Sequence, residues 1–226
     1  MTEQDRLSAF IEFMDRGNGS FLDMIEQEAI AADVPVIRKS AGGCLRFLIS
    51  LSKPKRILEI GTAVGFSALL MSRTADREAH IDTIEKYEKR IPVAKENFRR
   101  AAEAGECNMD VPGRITLIEG DAGEVLKELG GGYDMIFMDA AKGQYINWLP
   151  DVLRLLNPGG ILVSDNVLRE GDIIESRFAV TRRNRTIHSR MREYIYELCH
   201  NPELETVILR DGDGMALSTR RSLAES

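Results

Sequence analysis

"RILEIGTAVGFSALL" (56–70) decides the fold. Arg56 to Ile60 form a short apolar run with the look of a buried strand, and Phe66 to Leu70 open a helical segment. A strand that passes to a helix through a glycine-bearing turn is the first unit of a parallel sheet with helical crossovers. Gly61 and Gly65 let the chain turn sharply and approach a ligand closely, while the helix start offers free N–H groups. A dinucleotide fingerprint needs G-x-G-x-x-G. Here Ala63 and Phe66 hold the second and third positions, so that pattern fails. Glu59, just before the turn, suits a cationic ligand better than a pyrophosphate, which it would repel.

The same alternation continues outward. "AHIDTIE" (79–85), "RITLIEG" (114–120), "YDMIFMDA" (133–140) and "GGILVSDN" (159–166) read as strands, several without polar alternation, as in strands covered on both faces. Helical spacing fills "FSALLMSRTA" (66–75), "YEKRIPVAKENFRRAAEAG" (87–105), "AGEVLKELG" (122–130) and "YINWLPDVLRLLNPGG" (145–160). "ETVILR" (205–210) and "GMALSTR" (214–220), joined by "DGD", predict an antiparallel pair at the end of the sheet. The expected architecture is α/β: a mostly parallel, seven-stranded, Rossmann-like sheet over 51–221 with helices on both faces and an antiparallel C-terminal strand. Residues 1–50 form a helical extension, and 1–226 read as one domain.

Composition narrows the function classes. Of 226 residues, 43% are hydrophobic and 29% charged, as in ordinary globular proteins, and no apolar run is long enough to span a bilayer. "MTEQDRLSAFIEFMDRG" (1–17) lacks the basic start and apolar centre of a signal peptide. Cys44, Cys107 and Cys199 are too few and too scattered for a disulfide framework or a zinc knuckle, so a cytoplasmic protein without a membrane partner is expected. The net charge of −6 argues against a general polyanion binder, although a local basic patch is compatible with it.

Ligand-facing residues are expected at the carboxyl ends of the strands. Glu85 ends the second, where it can accept from ribose hydroxyls; Asp121 ends the third and can meet a purine amino group. Each acid also fits a plain helix N-cap. Asp139 ends the fourth strand and Asp165-Asn166 the fifth. Two carboxylates and an amide oxygen make a hard, all-oxygen partial shell suited to Mg²⁺ or Mn²⁺, while Asp139 and Asp165 also fit plain helix N-caps. Lys142, three residues after Asp139, is either a solvated lysine or, with its pKa lowered by a neighbouring metal, a base for a bound hydroxyl.

"LEIGTAVGFSALL", "DTIEKYEKR", "EGDA", "MDAAKGQY" and "SDNVLREG", in this order, resemble the cation-dependent S-adenosylmethionine O-methyltransferases, the group of the catechol and caffeoyl-CoA enzymes. The resemblance spans roughly 35–220. It implies Asp139, Asp165 and Asn166 as metal ligands and Asp139 with Lys142 as catalytic residues. It further implies donor contacts from Ile37, Ser67, Glu85, Asp121, Ala122 and Asp139, beside Glu59 and Gly61 of the turn read above, and a homodimer joined through the N-terminal helices. The acceptor should present two adjacent oxygens, as a small catechol or a 5-hydroxyuridine does.

"RFAVTRRNRTIHSRMREY" (177–194) carries six arginines and no acid before Glu193. A helix from about Thr181 would place Ile187, Met191, Tyr194, Ile195 and Leu198 on one apolar stripe and Arg182, Arg185 and Arg192 opposite it. Such a face is either simply solvated or available to phosphates. Together with "SDNVLREG", this stretch is similar to the bacterial tRNA 5-hydroxyuridine methyltransferases. That likeness implies that Arg182, Arg183, Arg185 and Arg192 meet the tRNA anticodon region.

Overall fold

A computed structural model describes residues 3–168, 173–176, 179–210 and 212–222. Residues 169–171, 177–178 and Asp211, which belong to the motifs above, lie outside the described residues. Three helices open the chain: α1 (Glu3–Met14), α2 (Ser20–Ala31) and α3 (Lys39–Ser52). Then follow β1 (Arg56–Ile60), α4 (Phe66–Thr74), β2 (His80–Glu85), α5 (Ile91–Glu103), β3 (Ile115–Glu119), α6 (Ala122–Glu128), β4 (Tyr133–Met138), α7 (Tyr145–Leu155) and β5 (Leu156–Asp165). The described chain closes with α8 (Arg185–His200), β6 (Leu204–Leu209) and β7 (Met215–Arg220).

The sheet has seven strands in the order β3-β2-β1-β4-β5-β7-β6. Strands β3 to β5 are parallel, and β7 runs antiparallel between β5 and β6. The chain reverses direction across the sheet at β1/β4, so the crevice beyond their carboxyl ends is where such folds take ligands. Two cores flank the sheet. One joins α2–α5 to it through Leu22, Leu45, Leu69 and Phe98; the other joins α6–α8 through Leu126, Tyr145, Val152 and Tyr194. β1, β4 and the second half of β5 bury nearly every residue, which is why they read as unbroken apolar runs.

Three boundaries differ from expectation. α5 begins at Ile91 rather than at Tyr87, because Pro92 has no N–H and fits only the first turn of a helix. β5 starts at Leu156, pairs with Tyr133, and then bulges before Ile161 pairs with Met135. The "NPGG" expected to end a helix therefore lies within an irregular strand. α8 starts at Arg185, preceded by a short 3₁₀ turn at Arg182–Asn184.

Arg114 supports the frame. It is almost fully buried just before β3, where its guanidinium donates to the carbonyls of Ser72, Ala75, Asp76 and Ala79 and its Nε to Ser72 Oγ. These carbonyls belong to the C-terminal end of α4 and the turn after it, and the arginine satisfies acceptors that a helix leaves open there.

Candidate active site

A cavity of about 810 Å³ opens at the carboxyl ends of β1, β2, β4 and β5. That is a usual size for a cofactor-plus-substrate site. Among the predicted residues, Ile37, Gly61, Ser67, Glu85, Asp121, Ala122, Asp139, Lys142, Asp165 and Asn166 all line it.

Gly61 (φ 107°) turns the chain at the end of β1, where a Cβ would lie 2.2 Å from the carbonyl oxygen of Asp139. Gly65 packs against the Phe98 ring, with 2.5 Å left for a Cβ, so it serves helix packing rather than the ligand. Glu85 stands beneath the turn. Its Oε2 accepts from Ala63 N at 2.8 Å, and its Oε1 accepts from the N–H groups of Lys86 and Tyr87. Three backbone donors thus occupy most of the roughly four acceptor positions of this carboxylate before any ribose arrives. Asp121 caps α6 through Gly123 N at 2.8 Å and pairs with Lys86 Nζ at 3.2 Å. The Gly123 N–H first, and Lys86 second, hold its pKa below the usual range. The N-cap role expected as an alternative for Asp121 is present, on a residue that also faces the cavity.

Glu59 corrects an expectation. It does not line the cavity: it is fully buried behind the turn, where Ser67 Oγ donates to one carboxyl oxygen and Thr83 Oγ1 to the other. Its influence on a ligand passes through Ser67. Burial without a cation pushes its pKa up to about 7, against the relief from the Ser67 and Thr83 hydroxyls. The folded chain keeps this proton well above pH 4.5, where the unfolded chain loses it. Stability from this group is complete below pH 4.5 and is lost as pH rises through about 7, by on the order of 3 kcal/mol. Glu59→Gln is therefore expected to match the wild type near pH 4.5 and exceed it by up to that amount at pH 8. Urea unfolding across this range checks it, and parallel pH profiles would refute it.

On the opposite side, β4 and β5 bring Asp139 and Asp165 to adjacent strand ends, one position beyond the Met138–Ser164 pair. Burial, then the Asp139 charge, push the Asp165 carboxyl up to about 6. Asp165, whose charge Asp139 disfavours, together with Asp139 and Asn166 makes an oxygen-donor set that suits a hard cation. Among the described residues no group of three or more His, Cys, Asp or Glu is arranged to hold a metal, so such an ion would have only two carboxylates and Asn166 from the protein. Asp139 is no N-cap: α7 is preceded by Gln144, with no side-chain cap.

Lys142 Nζ donates to Asp139 Oδ1 at 2.6 Å and to Tyr145 Oη at 3.1 Å. Burial disfavours its charge, but the Tyr145 and Asp139 oxygens outweigh burial and hold its pKa above that of a free lysine. The lowered pKa expected from the sequence is thus not produced by the protein's own groups. As it stands, Lys142 is a paired ammonium. Tyr145, which the sequence did not single out, is fully buried; its hydroxyl also donates to Met138 O and accepts from Ala140 N. It fixes the backbone on both sides of Asp139.

Among the cavity residues that escaped sequence reasoning are Arg38 and Asp213. They pair at 2.9 Å across 175 positions, and nothing local in "DGD" distinguishes a turn aspartate from a site aspartate.

The arginine-rich stretch runs beside the site. Ile187 packs against Gly143, and Arg190 Nη1 donates to Gly143 O at 3.1 Å, one residue from Lys142. Arg182 and Arg183 are exposed. Arg192 is exposed and Arg185 half-buried, and each also braces the preceding loop: Arg192 Nη1 donates to Ile173 O at 2.7 Å and Arg185 Nε to Val180 O at 3.4 Å. Their remaining N–H groups are the ones a phosphate could meet.

Residues 21–221 match the O-methyltransferase family. The chain is 33% identical over 146 residues to a catechol O-methyltransferase of Niastella koreensis, covering 64% of each chain. To a catechol O-methyltransferase of Mycobacterium tuberculosis it is 32% identical over 171 residues, 74% of each. The S-adenosylhomocysteine-bound methyltransferase of Podospora anserina superposes with a TM-score of 0.83 at 28% identity, covering 98% of this chain and 97% of that one.

Proposed function

The chain belongs to the S-adenosylmethionine-dependent O-methyltransferase family, and we propose that it methylates the 5-hydroxyl of wobble 5-hydroxyuridine in tRNA, giving 5-methoxyuridine. The observation that carries this reading is the position of the arginine-bearing stretch against Gly143, at the edge of the cavity that holds Asp139, Lys142, Asp165 and Asn166. Asp139, Asp165 and Asn166 would hold a divalent cation, Mg²⁺ or Mn²⁺. Such an ion, when bound, acidifies and orients a chelating hydroxyl. The turn from Gly61 to Ser67, with Glu85, Asp121 and Ala122, would seat the methyl donor. Lys142 would meet the acceptor hydroxyl: as the ammonium paired with Asp139 it would orient the oxygen, and only if a bound cation displaced that pairing would the free amine take the hydroxyl proton on Nζ. The donor, when bound, would supply an electrophilic methyl carbon and leave as its neutral thioether, and these residues would align that carbon with the acceptor oxygen, an effect that can account for much of the rate.

Arg182 and Arg183 would bind the anticodon stem, with the wobble base everted into the cavity. A second reading, methylation of small catechol or hydroxycinnamoyl-type acceptors, is favoured by the catechol enzymes among the relatives. Mass spectrometry of tRNA nucleosides from cells lacking the gene separates the two: loss of 5-methoxyuridine with build-up of its hydroxyl precursor is expected. Arg182→Ala/Arg183→Ala should lower turnover of tRNA about tenfold or more while sparing a catechol, since a guanidinium that neutralises a phosphate strengthens RNA binding and does nothing for a small neutral acceptor. Equal losses on both acceptors would remove the RNA reading. A tRNA substrate also implies action in the cytoplasm. No described helix is long and apolar enough to cross a membrane.

The N-terminal helices leave Phe10, Phe13 and Met14 of α1 and Phe47 and Leu51 of α3 exposed, all at 60% or more. Large apolar side chains exposed in this number on two successive helices are the kind of surface that a partner covers. We propose that it joins two copies of the chain. Phe47→Glu is expected to convert a dimer to a monomer in sedimentation equilibrium, and a wild-type monomer would refute the proposal.

A further inference from the structure

Asp213 has no role in the site outlined so far, yet its carboxylate lies at the junction of three parts of it. The 212–214 turn between β6 and β7 is fastened to the segment that follows Asn166: Val167 N donates to Gly214 O at 2.9 Å and Leu168 N to Asp213 O at 2.7 Å. Gly214 allows the close fit, since a Cβ there would lie 2.2 Å from Leu168 Cγ. From this frame Asp213 Oδ2 accepts from Asn166 Nδ2 at 3.2 Å and from Arg38 Nη2 at 2.9 Å. Arg38 packs along the turn, where a Cβ on Gly212 would come within 2.8 Å of its Nη1. Arg38 follows Ile37 on the cavity wall contributed by the α2–α3 connection.

The chemistry of the pair fixes a direction. An ionised carboxylate only accepts hydrogen bonds, so the Asn166 group that faces Asp213 must be the amide nitrogen. The amide is planar, so its oxygen is then turned away from Asp213. The Asn166 backbone is also constrained: its φ is 56° and its N–H donates to Asp165 Oδ1 at 2.8 Å. Backbone and amide nitrogen are both held, which leaves the oxygen as the group with acceptor capacity toward the cavity. Partners that orient a ligating side chain in this way typically change metal affinity about 10–100-fold when removed.

We propose that Asp213 is a positioning residue for the cation site, which sets the Asn166 amide with its oxygen toward the cavity and ties it, through Arg38, to the wall that carries Ile37. This inference rests on the proposed role of Asn166 as a cation ligand.

The test titrates Mn²⁺ alone into the full chain, followed by water-proton relaxation. Asp213→Ala should weaken Mn²⁺ binding at least about tenfold. Asp213→Asn keeps an acceptor oxygen for the Asn166 amide but not the charge, and should recover most of the wild-type affinity. Asp213→Leu, similar in size and without an acceptor, repeats the alanine comparison in case alanine impairs folding, which melting curves report. Wild-type affinity in both the alanine and leucine variants would overturn the proposal. So would an asparagine variant as weak as alanine, since charge rather than orientation would then be at work. A wild-type chain that binds no Mn²⁺ would remove the cation reading itself, and the inference with it.

Discussion

Asp139→Ala is expected to lower kcat for methyl transfer by about 10³-fold, and excess Mg²⁺ should not restore it. The side chain is asked to do two things at once. It pairs with the Lys142 ammonium at 2.6 Å while its charge raises the Asp165 pKa. A factor of 10³ is about 4 kcal/mol in the barrier, at ~1.4 kcal/mol per factor of ten. Loss of the Asp139 carboxylate leaves the Lys142 ammonium, 21% exposed, without its charged partner. It also removes one oxygen donor of the proposed cation site, and misplacement of reacting groups by about 1 Å can alone cost about 10²-fold. Asp139→Asn should fall between alanine and wild type, since it keeps an oxygen but no charge for Lys142. Single-turnover assays with donor and acceptor saturating measure the step directly. An alanine variant within tenfold of wild type would show that neither the cation nor Lys142 depends on this residue.

Asp139 was legible in the sequence because it closes an unbroken apolar strand, and such strands can only lie inside a parallel sheet with their ends at a ligand crevice. The Gly61 turn, Glu85, Asp165 and Asn166 were legible on the same ground, by their positions at strand ends. What stayed hidden were partnerships set by sheet order. Asp213 meets Asn166 because β7 inserts between β5 and β6, an arrangement that the hairpin sequence does not announce. Arg114 reads as an ordinary surface arginine before a strand, yet it is buried beneath the end of α4. Arg192 stands on the polar face of its helix as the periodicity requires, but a loop carbonyl reaches it there. Periodicity reports which face of an element is apolar; it does not report what folds over the other face.

Gly61→Ala is the second large effect, and it acts on Asp139 from the far side. The expectation from sequence was that Gly61 clears space for a ligand. It does line the cavity, but the tighter constraint is the protein's own backbone: a Cβ would stand 2.2 Å from Asp139 O and 2.9 Å from its carbonyl carbon. Neither atom belongs to a flexible side chain, so β4 would have to move away from β1 at the point where Asp139 N donates to Ile60 O at 3.0 Å. The φ of 107° adds strain that only glycine escapes. Overpacking of this kind with backbone strain is expected to cost about 4 kcal/mol or more, which lowers Tm by roughly 8–16 °C in a chain of this size. Gly105 (φ 66°), with open space around it, provides the control: Gly105→Ala should cost only about 1 kcal/mol. If the Gly61 variant folds below its Tm, its donor affinity and its Mn²⁺ affinity should fall together, because one displacement disturbs the turn and the Asp139 carboxylate alike. A loss confined to donor binding would mean that Gly61 serves the ligand alone and that the β1–β4 contact yields without disturbing Asp139.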